Sequence, residues 1–208
     1  MTGCEIDLVR HGETEANAAG ILQGWGDSPL SARGARQARA VAARLDERVY
    51  VLVASSHLKR AVATAAPIGE PIEISDLAEM DMGAWEGMTW QQVVARHPVA
   101  MEALRKGKDV TLDGGESTAE FSARIERGLT QVRAMLSAGE RALVVTHGGV
   151  IHTTVRRVLG TGRGPLGGVT NGALTTLRWE GDDVSLAAYN DTWHVAADHE
   201  PREGARAS

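Results

Sequence analysis

The sequence predicts an α/β fold, a three-layer α/β/α sandwich around a mostly parallel central sheet. Two observations carry that prediction. Short apolar runs of strand composition alternate with stretches whose apolar residues fall at helical spacing, the β-α-β-α order of a parallel sheet covered on both faces. Three of those runs break abruptly into polar or charged residues, and in open α/β folds ligands bind outside the carboxyl ends of the strands. A chain of 208 residues, 43% of them hydrophobic, can bury one sizeable core and is short of two ordinary domains. Residues 1–195 are accordingly read as one domain.

Taken in order, Ile6, Leu8 and Val9 have the composition of a buried strand, and Arg10-His11-Gly12 follow directly. Gly12 lets the backbone turn without a Cβ clash and lets a ligand come close. Residues 18–30 form a Gly- and Pro-punctuated loop expected to return over the strand end. Ser31 is an N-cap candidate, and Ala35, Ala38, Val41, Ala42 and Leu45 share one face, so a helix is expected over 31–46. Arg36 and Gln37 on it are assigned solvated or structural roles. A strand over 49–54 runs into Ser55-Ser56-His57-Leu58-Lys59-Arg60, and a helix over about 57–66 puts Arg60 in its first turn.

Residues 71–74 supply a short strand, and 88–106 and 117–137 read as helices, the second opened by a capping box of Ser117 and Glu120. Between them lies a loop, 107–115. A strand over 141–146 breaks at Thr146-His147-Gly148-Gly149, then come a helix over about 150–159, a Gly-rich turn (160–168) and strands over 173–179 and 184–189. After His194 the composition turns polar, and 196–208 is expected to be a disordered tail.

Two strands therefore end in His-Gly, at His11 and His147. Imidazoles and guanidiniums gathered at neighbouring strand ends make a positive, donor-rich pocket suited to phosphate. The net charge of −5 argues against a nucleic-acid or anionic-membrane partner, leaving a small anion bound by local charge. Cys4 is the single cysteine, so no intrachain disulfide can form and nothing points to an oxidising compartment. No secretory pattern and no apolar run near ~20 residues is present, and a cytoplasmic protein is expected. A metal site is not supported either. There is no His-Glu-x-x-His and no Cys pair, and His147 and His152 share a helix face poorly, so neither metal nor other cofactor is expected.

The motifs resemble, in order and over about residues 5–195, those of the histidine phosphatase superfamily, the phosphoglycerate-mutase-like proteins. They are Leu-Val-Arg-His-Gly-Glu-Thr-Glu-Ala-Asn at 8–17, Gln-Gly-Trp-Gly-Asp-Ser-Pro-Leu at 23–30, and Ser-Ser-His-Leu-Lys-Arg-Ala at 55–61 with Thr64-Ala65. Leu77-Ala78-Glu79, Gly-Ala-Trp-Glu-Gly at 83–87, Gly115-Glu116-Ser117, Thr146-His147-Gly148-Gly149 and Asn-Asp-Thr-Trp-His at 190–194 complete the set.

The resemblance implies a phosphoglycerate-mutase-like fold and a phosphatase-branch activity on small phosphomonoesters. His11 would attack phosphorus to form a phosphohistidine, which requires one bare ring nitrogen and a hydrogen bond holding the other. Arg10, Arg60 and His147 would hold the non-bridging oxygens, with Asn17, Gln23, Gly24 and Gly148 as further substrate-binding positions. Glu79 is implied as the general acid, with Glu86 nearby in a structural role, although the sequence leaves the choice between the two open. His194 is implied to be supporting. His57, His97, His152 and His199 are read as surface or packing residues, and Trp85, Trp90 and Trp193 as core or rim.

Two alternatives stand beside the phosphatase. A cofactor-dependent phosphoglycerate mutase is disfavoured because the stretch from 86 to 115 is short and holds only Lys106 and Lys108 as lysines. A non-catalytic phosphate-binding module would not require every catalytic position to be filled. Specificity is expected from 88–115 and 160–170. Dimers are common among proteins of this resemblance, so a homodimer is one expected assembly.

Overall fold

The computed structural model describes residues 3–161 and 166–198. In chain order the described strands are β1 (Gly3–Arg10), β2 (Leu52–Ser55), β3 (Ile72–Glu73), β4 (Arg141–Thr146), β5 (Leu174–Glu180) and β6 (Asp183–Asp191). The α-helices are α1 (Glu15–Ala18), α2 (Ala32–Leu45), α3 (Lys59–Ala65), α4 (Trp90–Arg96), α5 (Pro98–Arg105), α6 (Thr118–Ala134) and α7 (Gly148–Val158). The strands form one six-stranded sheet in the order β3-β2-β4-β1-β5-β6. β1, β2, β3 and β4 pair in parallel, whereas β5 runs against β1 and β6 against β5, so β5 alone points the other way.

Successive strand residues point to opposite faces, and the core divides accordingly. Ile6, Leu8, Leu52, Ala54, Ala142 and Val144 join Phe121, Ile125 and Leu129 of α6 and Val150, Ile151 and Val155 of α7 on one face. Val9, Leu143 and Val145 join Val41 and Leu45 of α2 and Ala61 and Ala65 of α3 on the other. Burying a side chain of the size of Val41 or Leu45 contributes on the order of 2 kcal/mol, enough for the apolar stripe of α2 to seat the helix on the sheet. The expected three-layer architecture is thus present. A third cluster, Trp85, Val93, Leu104, Val110 and Leu112 with Leu22, Met80 and Met82 against it, forms a lobe beside the sheet.

Several boundaries differ from expectation for identifiable reasons. The helix expected over 88–106 is broken into α4 and α5, because Pro98 cannot continue α4 and instead occupies the first turn of α5. β2 starts only at Leu52, where pairing with Ala142 of β4 begins; Val49 and Val51 are exposed despite their apolar alternation. α3 begins at Lys59 behind Leu58, which caps with no side chain, and α6 stops at Ala134. α7 starts at Gly148, two residues earlier than expected, which puts both glycines in its first turn. Trp193–Asp198 form a 3-10 helix, so the first three residues of the expected tail are structured; 199–208, with His199, lie outside the described residues. So does 162–165 of the Gly-rich turn. Among the described residues no helix is long and apolar enough to cross a membrane.

Candidate active site

Register gathers the site. Arg10, the last residue of β1, pairs with Thr146, the last of β4, and Ser55, the last of β2, pairs with Val145. His11, Ser56 and His147 therefore leave the sheet side by side, with the His11 amide on the Thr146 carbonyl at 2.9 Å and the Ser56 amide on the Val145 carbonyl at 3.0 Å. Because β5 is antiparallel, its start lies at the same edge. Arg10 donates to the Val169 carbonyl, and Asn171 Nδ2 to the His11 carbonyl at 3.0 Å.

His11 is 3% exposed and its Nδ1 lies 2.7 Å from the Gly12 carbonyl oxygen. A carbonyl only accepts, so Nδ1 carries the ring proton and Nε2 is left with a bare lone pair. Burial first, then the Arg10 and Arg60 guanidiniums, hold the imidazole pKa well below its ordinary value and keep that lone pair free. The ring of His147 stands 5.1 Å away, fully buried, and its pKa is likewise pushed well down by burial and then by His11 and the arginines.

His147 Nε2 meets Ser56 Oγ at 2.8 Å. That hydroxyl accepts from the Leu58 amide at 3.2 Å and meets no other acceptor for its proton among the described residues, so the proton is assigned to Nε2 and the ring proton of His147 to Nδ1. Nδ1 has no hydrogen-bond partner among the described residues, nor have Arg10 Nε and Arg60 Nε, all three being buried. Three buried donors at one sheet edge form a site for an anion.

Glu79 reaches this edge from the irregular stretch after a 3-10 turn (Ser75–Leu77). Its Oε1 accepts from the Met80 amide at 2.9 Å and its Oε2 from the Gly149 amide, in the first turn of α7, at 3.0 Å. A Cβ on Gly149 would sit 2.2 Å from Oε1, so any side chain there would displace the carboxylate from this position. The field of Glu79 also opposes the lowering of the Arg10 and Arg60 pKa values by burial.

Arg60 lies in the first turn of α3, as expected, and is buried. Its terminal nitrogens donate to the Gly24 carbonyl at 2.7 Å and the Gly26 carbonyl at 2.9 Å, so the 23–27 loop holds the guanidinium. Gly24 has φ +49°, and a Cβ there would meet Glu86 Oε1 at 2.1 Å. Glu86 spends that oxygen on the Trp25 amide at 2.7 Å, which separates it from Glu79: one carboxylate faces the strand ends and the other anchors the loop.

The remaining predicted positions sort by geometry. Asn17 closes the capping box of α1 and accepts from Asn171 at 3.2 Å, which uses its oxygen and leaves its amide hydrogens as the expected neutral donors. Gln23 Oε1 is buried with no partner among the described residues. A Cβ on Gly148 would lie 3.3 Å from Arg10 Nε, placing Gly148 directly against that guanidinium. Gly12 is required less by a ligand than by α2, since a Cβ would meet the Gly34 carbonyl oxygen at 2.5 Å. Among the described residues no group of three or more His, Cys, Asp and Glu side chains is arranged to hold a metal.

The model of the histidine phosphatase superfamily (branch 1) matches residues 6–192. The chain belongs to that superfamily. It is 36% identical over 202 residues to a metal-independent phosphoserine phosphatase of Arabidopsis thaliana, covering 93% of this chain and 84% of the relative. A glucosyl-3-phosphoglycerate phosphatase of Mycolicibacterium vanbaalenii is 35% identical over 211 residues, covering 91% and 94%. The crystal structure of the alpha-ribazole phosphatase from Shigella flexneri superposes with a TM-score of 0.78 at 27% identity, covering 90% of this chain and 96% of that one. The histidine phosphatase described here is thus a phosphoric monoester hydrolase on a fold shared with phosphatases.

This histidine phosphatase also uses residues to which sequence reading assigned no role. Thr64 Oγ1 accepts from the Gly12 amide at 3.0 Å and donates to the Arg60 carbonyl at 2.7 Å, tying the His11 turn to α3. Ser56, Asn171 and Arg124 are further such residues. Ser56 and Thr64 stand inside motifs that carried the resemblance, which is the signal that could have found them. His194 Nε2 binds the Gly172 carbonyl oxygen at 2.8 Å and supports the start of β5, in keeping with its expected role. His57 packs edge-on against Trp25 at 5.8 Å, a packing residue as read.

Proposed function

We propose that the protein is a metal-independent phosphomonoesterase of small phosphorylated metabolites that works through a phosphohistidine at His11. The observation that carries this reading is the 2.7 Å contact between His11 Nδ1 and the Gly12 carbonyl, which leaves Nε2 unprotonated in a buried, cationic setting. Nε2 attacks phosphorus as the P–O ester bond breaks, and Glu79 gives its carboxyl proton to the departing alkoxide. Arg10, Arg60 and His147 Nδ1–H take up the charge of the three equatorial oxygens. Water then attacks the phosphohistidine, Glu79 accepts its proton, and the P–N bond breaks to release phosphate and restore Nε2.

Asn17, Gln23, Gly24 and Gly148 line the substrate in this scheme. The two named relatives support the substrate class, since each is named for a phosphate ester of a small polar metabolite. The free, buried thiol of Cys4 supports a cytoplasmic location.

Phosphate release from a panel of alkyl and aryl phosphomonoesters in chelator, with 3-phosphoglycerate included, tests the reading. Release that persists in chelator and is lost in His11→Ala supports it. Interconversion of 3- and 2-phosphoglycerate without release makes the protein a mutase, and neither activity leaves only a binding module.

A further inference from the structure

The stretch that carries Glu79 has no strand partner, yet its backbone is gripped at nearly every residue. Arg124, on α6 and 8% exposed, lies behind it. Its Nη1 donates to the carbonyls of Asp76 and Ala78, both at 2.9 Å, and its Nη2 to the Glu79 carbonyl at 3.0 Å. The rest of the fork is aligned by Glu116, which takes Nε on Oε1 at 2.8 Å and Nη2 on Oε2 at 2.7 Å. Glu116 also accepts from the Asp81 amide at 3.0 Å, and its own amide donates to the Asp81 carbonyl at 3.1 Å. Thr146 Oγ1, at the end of β4, takes the intervening Leu77 carbonyl at 2.7 Å, and the Trp25 indole shares the Glu79 carbonyl at 2.7 Å.

Buried backbone groups outside a helix or sheet need partners, and here one planar cation supplies three of them at once. Among the described residues the Glu79 carboxylate takes its hydrogen bonds from the amides of Met80 and Gly149. Its distance from the strand ends is therefore set by where this backbone lies. We propose that Arg124, aligned by Glu116, is a positioning residue for leaving-group protonation: it holds the Glu79 backbone against the end of β4 and the first turn of α7. The inference rests on the reading of Glu79 as the general acid. Lysine in place of Arg124 keeps the charge and loses the fork, so the backbone of 76–79 loses its shared anchor while the phosphate-binding donors remain.

The test compares kcat/KM for p-nitrophenyl phosphate, whose leaving group needs little protonation, and for an alkyl phosphate, whose leaving group needs it. The proteins are wild type, Arg124→Lys, Glu116→Gln, Glu79→Gln and the Glu79→Gln/Arg124→Lys double variant, each checked for a cooperative melt. Misplacing a catalytic group by about 1 Å costs up to ~100-fold, so Arg124→Lys and Glu116→Gln are expected to lose roughly 10- to 100-fold on the alkyl ester and less than about 3-fold on the aryl ester. In the Glu79→Gln background, Arg124→Lys is expected to add less than about 2-fold, since the group it positions is gone. Equal losses on both esters, or a full additional loss in the double variant, would overturn the proposal. Should Arg124→Lys not fold, Glu116→Gln decides alone, because it retains the guanidinium. Glu79→Gln keeps the two ideas apart. If it fails to discriminate between the esters, the acid assignment falls and takes this proposal with it. If it discriminates and the Arg124 and Glu116 variants do not, the positioning role alone falls.

Discussion

The imidazoles of His11 and His147 stand 5.1 Å apart, tilted by 58°, and a proton on either would add a third cation beside Arg10 and Arg60. The pair is arranged to stay neutral. This neutrality has a thermodynamic signature.

Both rings are buried with pKa values held well below the ordinary 6.5, whereas in the unfolded chain they protonate near that value. Below it the unfolded state binds protons that the folded state refuses, so stability is lost as pH falls. Each ring should contribute a slope of about 1.4 kcal/mol per pH unit from pH ~6.5 down to its lowered folded-state pKa, and none above pH ~6.5. Urea unfolding measured between pH 7.5 and pH 5 is expected to show that decline, and His147→Gln is expected to flatten it by about half. A profile level down to pH 5 would contradict the neutral pair.

Gly149→Ala separates stability from activity. Alanine is the better helix former by about 1 kcal/mol, and Gly149 sits in the first turn of α7. Its Cβ, however, would lie 2.2 Å from Glu79 Oε1, so the carboxylate must leave its place. The expected outcome is an unchanged or higher melting temperature with kcat/KM on an alkyl phosphate lowered on the order of 100-fold. Near-wild-type turnover would show that the carboxylate position is immaterial.

Arg48→Ala should do the reverse. Asp7 is fully buried in the middle of β1, and its charge is met by Arg48 Nη1 and the Tyr50 hydroxyl, each at 2.7 Å, and by the Thr176 hydroxyl at 2.5 Å. Removing the cation leaves a buried carboxylate with neutral donors and Arg141 at 3.9 Å, at a cost of about 3 kcal/mol. Urea unfolding is expected to register that loss while kcat stays within about 2-fold, since among the described residues Arg48 has no hydrogen bond or ion pair to a site residue. A loss under about 1 kcal/mol would mean that Arg141 and the Tyr50 and Thr176 hydroxyls satisfy Asp7 without Arg48.

The strand ends were legible because each announces itself locally: an apolar run breaking into Arg10-His11-Gly12 or into His147-Gly148-Gly149. What brings them together is register, and no local pattern states that Arg10 faces Thr146 across β1 and β4. Pro98 is a readable break within the helix expected over 88–106. The early start assigned to β2 shows the opposite error, since Val49 and Val51 alternate as strand residues do yet stay exposed, and although the Val51 amide reaches the Arg141 carbonyl at 3.1 Å the ladder with β4 begins only at Leu52. Arg124 was harder. Its partners lie 8 to 48 residues away, but it falls on the buried face of α6 with Phe121, Ile125 and Leu129, and a cation in an apolar stripe is the signal that a buried partner awaits. Glu79 and Glu86 differ in the amides they accept from, Gly149 for one and Trp25 for the other, and sequence separation conceals both contacts.

Covalent capture tests the proposed phosphohistidine at His11 most directly. Enzyme mixed with a phosphomonoester in chelator and quenched within one turnover should carry an acid-labile, alkali-stable phosphoryl group on His11, formed and discharged at rates consistent with kcat and absent in His11→Ala. Turnover with no phosphorylated protein, or with the label on another residue, would contradict it.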